Sequence, residues 1–336
     1  MAQYACYIPA MPNCVSTRRE FLRACAAGAA VAATSGLHAF AQAAVKSRVV
    51  SARDPALRGS SGTPDAARVL NLLDRAVQAL YDTDDSLQAW KRIVRPGETV
   101  GLKVNCLAGR GASTNVVLIE AICERLQQAG IREENIVIWD RLESDLESAG
   151  LRARRRLRVI GNDSAGYEDE LSIHGSVASR LSQTLTRTCD AVINLPVLKD
   201  HGISGVTLAL KSFFGAVHNP NKYHPDGCNP YIADLNMLEP IRRKVRLHIC
   251  DAITAQYEGG PSFMPQWQWP YNGLLVGRDP VALDYTGWQI IDRQRAEKGL
   301  KSLAAAGRAP AYIATAADAR HRLGANDPRL IERMEV

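Results

Sequence analysis

Residues 98–130, "ETVGLKVNCLAGRGASTNVVLIEAICERLQQAG", change period midway. Val100, Leu102 and Val104 alternate up to Asn105, the period of a strand. After a Gly/Ser/Thr loop, Val116, Ile119, Ile122, Cys123 and Leu126 recur at helical spacing on one apolar face, and Gly130 stops the helix. The switch then repeats. "NIVIWD" (135–140) reads as a short buried strand, "LESDLESAG" (142–150) as a polar helix and "LRVIG" (157–161) as a strand. This strand–helix–strand–helix–strand order predicts a parallel sheet with right-handed crossovers.

Working outward, "DAVINLPV" (190–197), "RLHICDAI" (246–253) and "GLLVGRDP" (273–280) read as further strands. "YIADLNMLEPIRR" (231–243) and residues 309–323 read as helices, as does "PVALDYTGWQIIDRQRAEKG" (280–299), with Asp279 as its cap and Pro280 at its first position. The expected class is α/β: a mostly parallel sheet with helices on both faces. Residues 44–336 are taken as one domain, with 161–171 as a candidate boundary between two packed α/β lobes. Polar residues follow the apolar strand cores at Asn105, Asp140, Asn162, Asp163, Lys199, His201, Asp251 and Asp279. In a parallel sheet they would share the edge where ligands bind; taken singly, each is more readily read as the polar end of a strand, and Asp279 as a helix cap.

The chain has 336 residues, a formal net charge of +6 and 46% hydrophobic residues, enough for a large core. "STRREFLRACAAGAAVAATSGLHAFAQAA" (16–44) holds Arg18-Arg19, then Phe21-Leu22, a short apolar run and A-x-A sites at 39–41 and 41–43. It resembles a twin-arginine export signal, which implies passage through the twin-arginine translocase in folded form and work in the periplasm or otherwise outside the cytoplasm. Residues 1–43 are read as that signal peptide. The run is too short and too rich in alanine for a membrane span, so no stable span is expected in the mature form. "RARRRLR" (152–158) is the one basic run, read as a solvated connection; with no interleaved aromatics, nucleic acid is not expected as a partner. Beyond the leader stand Cys106, Cys123, Cys189, Cys228 and Cys250, with no C-x-x-C spacing for zinc or iron–sulfur and an odd number for disulfide pairing.

"LKDHGISGVTLALK" (198–211) threads Lys199, Asp200, His201 and Lys211 through an apolar stretch. It reads as a strand-end loop, carrying Lys199 and His201, that feeds a buried segment. A desolvated lysine is a candidate for proton transfer or covalent attachment, and neutral imidazole for a base or metal ligand. Lys199 and His201 are the candidate proton-transfer groups. Lys103, Asn105, Lys211 and Gly205 are candidate cofactor-binding positions, Gly205 by allowing close backbone approach. His224 and Asp251 are the candidate metal ligands, although no short metal motif is present. Residues 253–273 form a Trp- and Tyr-rich loop, either a lid or a loop packed on itself. No G-x-G-x-x-G, P-loop or G-x-S-x-G pattern occurs.

"GLKVN", "LPVLKDHGISGVTLALKSFFG", "YHPDG", "IADL", "ICDAI", "EGGP" and "GRDPVALD" occur in an order that resembles the bacterial and archaeal domain-of-unknown-function family 362, over about 100–291. Some members of that family carry a ferredoxin-type insert; this chain lacks its cysteine run, so no iron–sulfur cluster is expected. His201, Ser204-Gly205, Lys211 and His224 are also similar to the core of lactate-racemase-type nickel-pincer enzymes. That resemblance implies Lys211 as attachment site of a nickel-organic cofactor, His224 as metal ligand and His201 as acid/base. Three readings stay open: an exported isomerase or oxidoreductase acting on a small anionic molecule with a divalent metal or metal-organic cofactor, a non-catalytic exported binding protein, and an accessory partner docking through the aromatic loop.

Overall fold

The computed structural model describes residues 46–59, 62–153 and 156–336. The expected export leader lies outside them. The strands are β1 (Ser47–Arg53), β2 (Val100–Lys103), β3 (Ile136–Asp140), β4 (Arg158–Gly161), β5 (Ser172–His174), β6 (Val177–Ser179), β7 (Ala191–Asn194), β8 (Val197–His201), β9 (Gly205–Thr207), β10 (Val245–Gln256), β11 (Gln268–Trp269), β12 (Gly273–Gly277) and β13 (Ile331–Glu335). Eleven of them form one mixed, mostly parallel sheet in the order β13-β1-β12-β10-β7-β2-β3-β4, with β8 and β11 on β10 and β9 on β8. The run β10-β7-β2-β3-β4 is parallel throughout, and β12 runs antiparallel to both β10 and β1. Strands from both sides of the 161–171 segment share this sheet, since β7 pairs with β2.

Strand alternation fills two cores. Ile136 and Ile138 of β3 and Ile193 of β7 enter one cluster, with the helices Ala66–Tyr81, Ser86–Ile93 and Val116–Gln128. Val137, Trp139 and Val192 enter the other, with Phe213, Leu283 and Tyr312. A sheet buried on both faces needs near-continuous apolar strands, as "VGLKV" and "IVIWD" are. Capping fixes the helix starts: Asn115 accepts from the Val117 N–H, and Asp279 from those of Val281 and Ala282 ahead of Pro280.

Two helices differ from expectation. Residues 231–243 form two short helices, Tyr231–Asn236 and Glu239–Lys244. Pro240 cannot sit inside a helix, so it takes the first turn of a new one. The expected 309–323 helix shrinks to Tyr312–Ala317; beyond it the Asp318 carboxylate accepts the Arg320 and His321 N–H groups and turns the chain. The stretch 198–211 also differs from the strand-end loop expected. Lys199 and His201 lie on β8 itself, which folds back on β9 in the register His201↔Gly205. All five described cysteines are buried and free. No helix among the described residues is long and apolar enough to cross a membrane.

Candidate functional site

The period of β8 explains its charges. Side chains alternate across a strand, so Lys199 and His201 face one side and line a cavity of about 290 Å³. Asp200 points the other way, fully buried, where its carboxylate accepts the Gly260 N–H at 2.8 Å and pairs with Arg308 at 3.0 Å. Arg308 also pairs with Glu258, at 2.6 Å, and Glu258 pairs with Arg295. The cavity lies at the carboxyl ends of β2 and β3, between β8 and the short 3-10 helix Lys211–Ala216.

Three lysines line it, in different states. Lys103 is 1% exposed and bonds the Asp140 carboxylate at 2.8 Å and the Val104 carbonyl at 2.7 Å; the other Asp140 oxygen accepts the Cys106 N–H. Its charge is already matched. Lys199 donates to Asn105 Oδ1 at 3.0 Å and to the Ala112 carbonyl at 2.9 Å, both neutral acceptors. Burial pushes its amine down to about 8. Lys211 sits 3.3 Å from His224 Nε2, 3.6 Å from Cys228 Sγ and 4.0 Å from the Phe214 ring centroid, and burial pushes it down to about 8 as well. Among the described residues neither Lys199 nor Lys211 has a salt-bridge partner.

The backbone just before Lys211 is clamped on every side. Asp284 accepts the Ala209 and Leu210 N–H groups, Asn194 donates to the Ala209 carbonyl, and Asn236 donates to the Leu210 carbonyl. Burial raises Asp284 to about 8.

His201 Nδ1 accepts the backbone N–H groups of Ile203 and Ser204, at 3.1 and 3.2 Å. With that nitrogen taken, the neutral ring carries its proton on Nε2. Burial first, then the positive charge of Lys211, pushes the imidazole down to about 2. We expect ¹⁵N-detected NMR of the ring to show the Nε2–H tautomer unchanged from pH 5 to pH 8; titration in that range would refute this assignment.

The structure therefore brings together Lys103, Asn105, Lys199, His201, Lys211 and His224. Two expected residues are not part of the group. Gly205 lines no part of the cavity; it has φ +81°, and an added Cβ would lie 2.4 Å from the Arg308 carbonyl oxygen, so this glycine serves the hairpin. Asp251 does not line it either. Its oxygens accept the N–H groups of Asn115 and Ile253, which ties β10 to the start of the helix Val116–Gln128, and burial raises it to about 6. No group of three or more His, Cys, Asp or Glu among the described residues is placed to hold a metal.

The candidate site residues read from the sequence left out Cys228, Phe214 and Pro261. The first two touch Lys211. Phe214 and Pro261 lie within the quoted motifs "LPVLKDHGISGVTLALKSFFG" and "EGGP", whereas Cys228 carries no such signal. The aromatic loop is packed on itself. Tyr257 meets Trp267 and Trp269 edge-on, Trp269 meets Tyr271, and Pro261 forms part of the cavity wall.

Among solved structures, a crystal structure of a protein from Thermotoga maritima is similar at 12% identity, with a TM-score of 0.42, over 70% of this chain. The chain spans 60% of that one. No curated protein matches significantly. The family described as "Domain of unknown function (DUF362)" matches residues 100–289, which contain every lysine and histidine of the cavity, and the chain belongs to that family.

Proposed function

We propose that this chain is an enzyme that binds a small anionic substrate in the strand-end cavity and moves a proton on it. One observation carries the reading: two buried amines without carboxylate partners, Lys199 and Lys211, face one cavity beside an imidazole with a fixed tautomer. A buried lysine without a counter-charge is costly to keep. A carboxylate or similar anion would supply what the fold withholds. Lys199 spends two hydrogen bonds on Asn105 and Ala112, leaving its third position for the substrate. An amine near 8 is partly neutral at working pH and suits a general base. His201, protonated on Nε2, would donate a hydrogen bond to a substrate oxygen where negative charge develops. Lys211 would hold the substrate's charge.

The test is proton exchange. A panel of small carboxylates, 2-hydroxy acids included, is incubated with the protein in D₂O and followed by ¹H NMR. Loss of a C–H signal beside a carboxylate supports the reading. Ligand-dependent thermal stabilisation with no exchange would replace it with a binding protein.

A metal held by side chains alone does not fit this cavity. A metal-organic group that brings its own donors would ask less of the chain, with Lys211 as the anchoring amine and His224, 3.3 Å away, as the single imidazole ligand. Bound there, such a group would supply redox chemistry at the substrate carbon. Protein purified from its native host should then show added mass on Lys211 in peptide mapping; an unmodified Lys211 overturns this extension and leaves the proton-transfer reading standing. The leader motif supports export by the twin-arginine route, which would explain loading before translocation.

A further inference from the structure

A second cavity, of about 190 Å³, is lined by Arg242, Arg278, Arg322 and His248 and lies apart from the lysine cavity, with which it shares no lining residue. None of the three guanidiniums forms a salt bridge with a described residue; the one side-chain hydrogen bond among them runs from Arg322 Nε to the Ala319 carbonyl. No carboxylate lines the cavity. Pro280, the first residue of an 18-residue helix, also forms part of the wall; the Asp279 carboxylate already caps that helix end, so the guanidiniums and His248 carry the positive and donor character of the cavity.

His248 makes this more than a patch of surface arginines. It is 4% exposed. Asn194 Nδ2 donates both to the Ala209 carbonyl and, at 3.1 Å, to His248 Nδ1. The contact with a carbonyl oxygen fixes which amide atom is nitrogen, so Nδ1 must accept and Nε2 must carry the hydrogen. Nε2 has no hydrogen-bond partner among the described residues. Burial pushes the ring down to about 3, so it stays a neutral donor. The cavity thus offers donors and no ionised acceptor along its lining, and a guanidinium can donate bidentately to two oxygens of a phosphate.

We infer that Arg242, Arg278, Arg322 and the His248 Nε2–H form a binding site for a phosphate-type oxyanion. Its source is either the free ion or a phosphomonoester. A broader cleft of about 1080 Å³ shares Arg242, Arg278, Val245 and Leu323 with the cavity and has room for the remainder of a monoester.

Isothermal titration of the full chain with inorganic phosphate and with glycerol 3-phosphate tests this. Both anions could also enter the lysine cavity, so variants assign the site. Arg242→Ser/Arg278→Ser, which alters exposed side chains only, should weaken binding at least about tenfold. Lys211→Met should leave it unchanged. His248→Phe should weaken it too, and the exposed double variant keeps the test valid if the buried one fails to fold. Tighter binding of glycerol 3-phosphate identifies a monoester as the source, and tighter binding of phosphate the free ion. No binding of either anion, or binding that survives Arg242→Ser/Arg278→Ser and falls with Lys211→Met, overturns the assignment.

Discussion

Lys199→Met is expected to lower the proton-exchange rate by about 10²–10⁴-fold, the usual contribution of one general base. The side chain is nearly isosteric, so the cavity keeps its shape. It loses the amine and leaves Asn105 Oδ1 and the Ala112 carbonyl without their donor, a cost of about 1–3 kcal/mol in stability. Circular dichroism and the unfolding midpoint separate that cost from the loss of chemistry. The pH profile gives a second readout. A base must be neutral to act, so kcat at saturating substrate should rise with pH and level off above about 8, where burial sets the Lys199 amine. Lys211, pushed down to about 8 as well, loses its charge there, so KM should climb over the same range. In Lys199→Met the kcat inflection should vanish. Lys211→Met should instead raise KM more than it lowers kcat, because Lys211 is assigned to holding charge. Full exchange activity in Lys199→Met, or a kcat inflection that survives it, would remove Lys199 from the chemistry.

How much of this was legible beforehand depends on the range of the interaction. The strands β2, β3, β4, β7, β10 and β12 follow from local alternation, and the helices Val116–Gln128 and Pro280–Glu297 from periodicity and caps. Parallel pairing then brings Lys103, Asn105 and Lys199 to one edge, because chain direction sets where strands end. Partners were not legible. Lys199 meets Asn105 across 94 positions and Asp200 meets Arg308 across 108; no local pattern encodes such pairs. Asp251 shows the limit well. A buried acid at a strand end looked like a ligand, yet it lines no part of the cavity and each of its oxygens accepts a backbone N–H. Gly205 looked like room for a ligand, and its positive φ shows that the hairpin needs it. The helix Ala66–Tyr81 does carry a readable signal, with Val69, Leu72, Leu73, Ala76 and Val77 on one buried face. The strand β1 that precedes it takes its register from pairing with β12 and β13, both distant in sequence.

The network behind β8 yields the second large effect. Arg308→Met is expected to cost about 3–5 kcal/mol, the range for stripping the partner from a buried charge. Glu258 keeps Arg295 in that variant. Asp200, fully buried, keeps only the Gly260 N–H. Burial already raises its carboxyl above the ordinary range, opposed by the Gly260 N–H and by Arg308; without the guanidinium it rises further. The sign of the pH dependence follows. A carboxyl raised in the folded state holds a proton that the unfolded chain has released, so folding loses stability as pH climbs above the unfolded value. The deficit of Arg308→Met should therefore be smaller at pH 5 than at pH 8 by urea unfolding. Adding Asp200→Asn should recover part of it and flatten the pH dependence, since an amide still accepts the Gly260 N–H and carries no charge. A deficit below about 1 kcal/mol, in the range of an exposed pair, or one equal at both pH values, would mean that water reaches Asp200. Because Asp200 sits between Lys199 and His201 on the same strand, the single variant should also slow proton exchange, and the double variant should restore it.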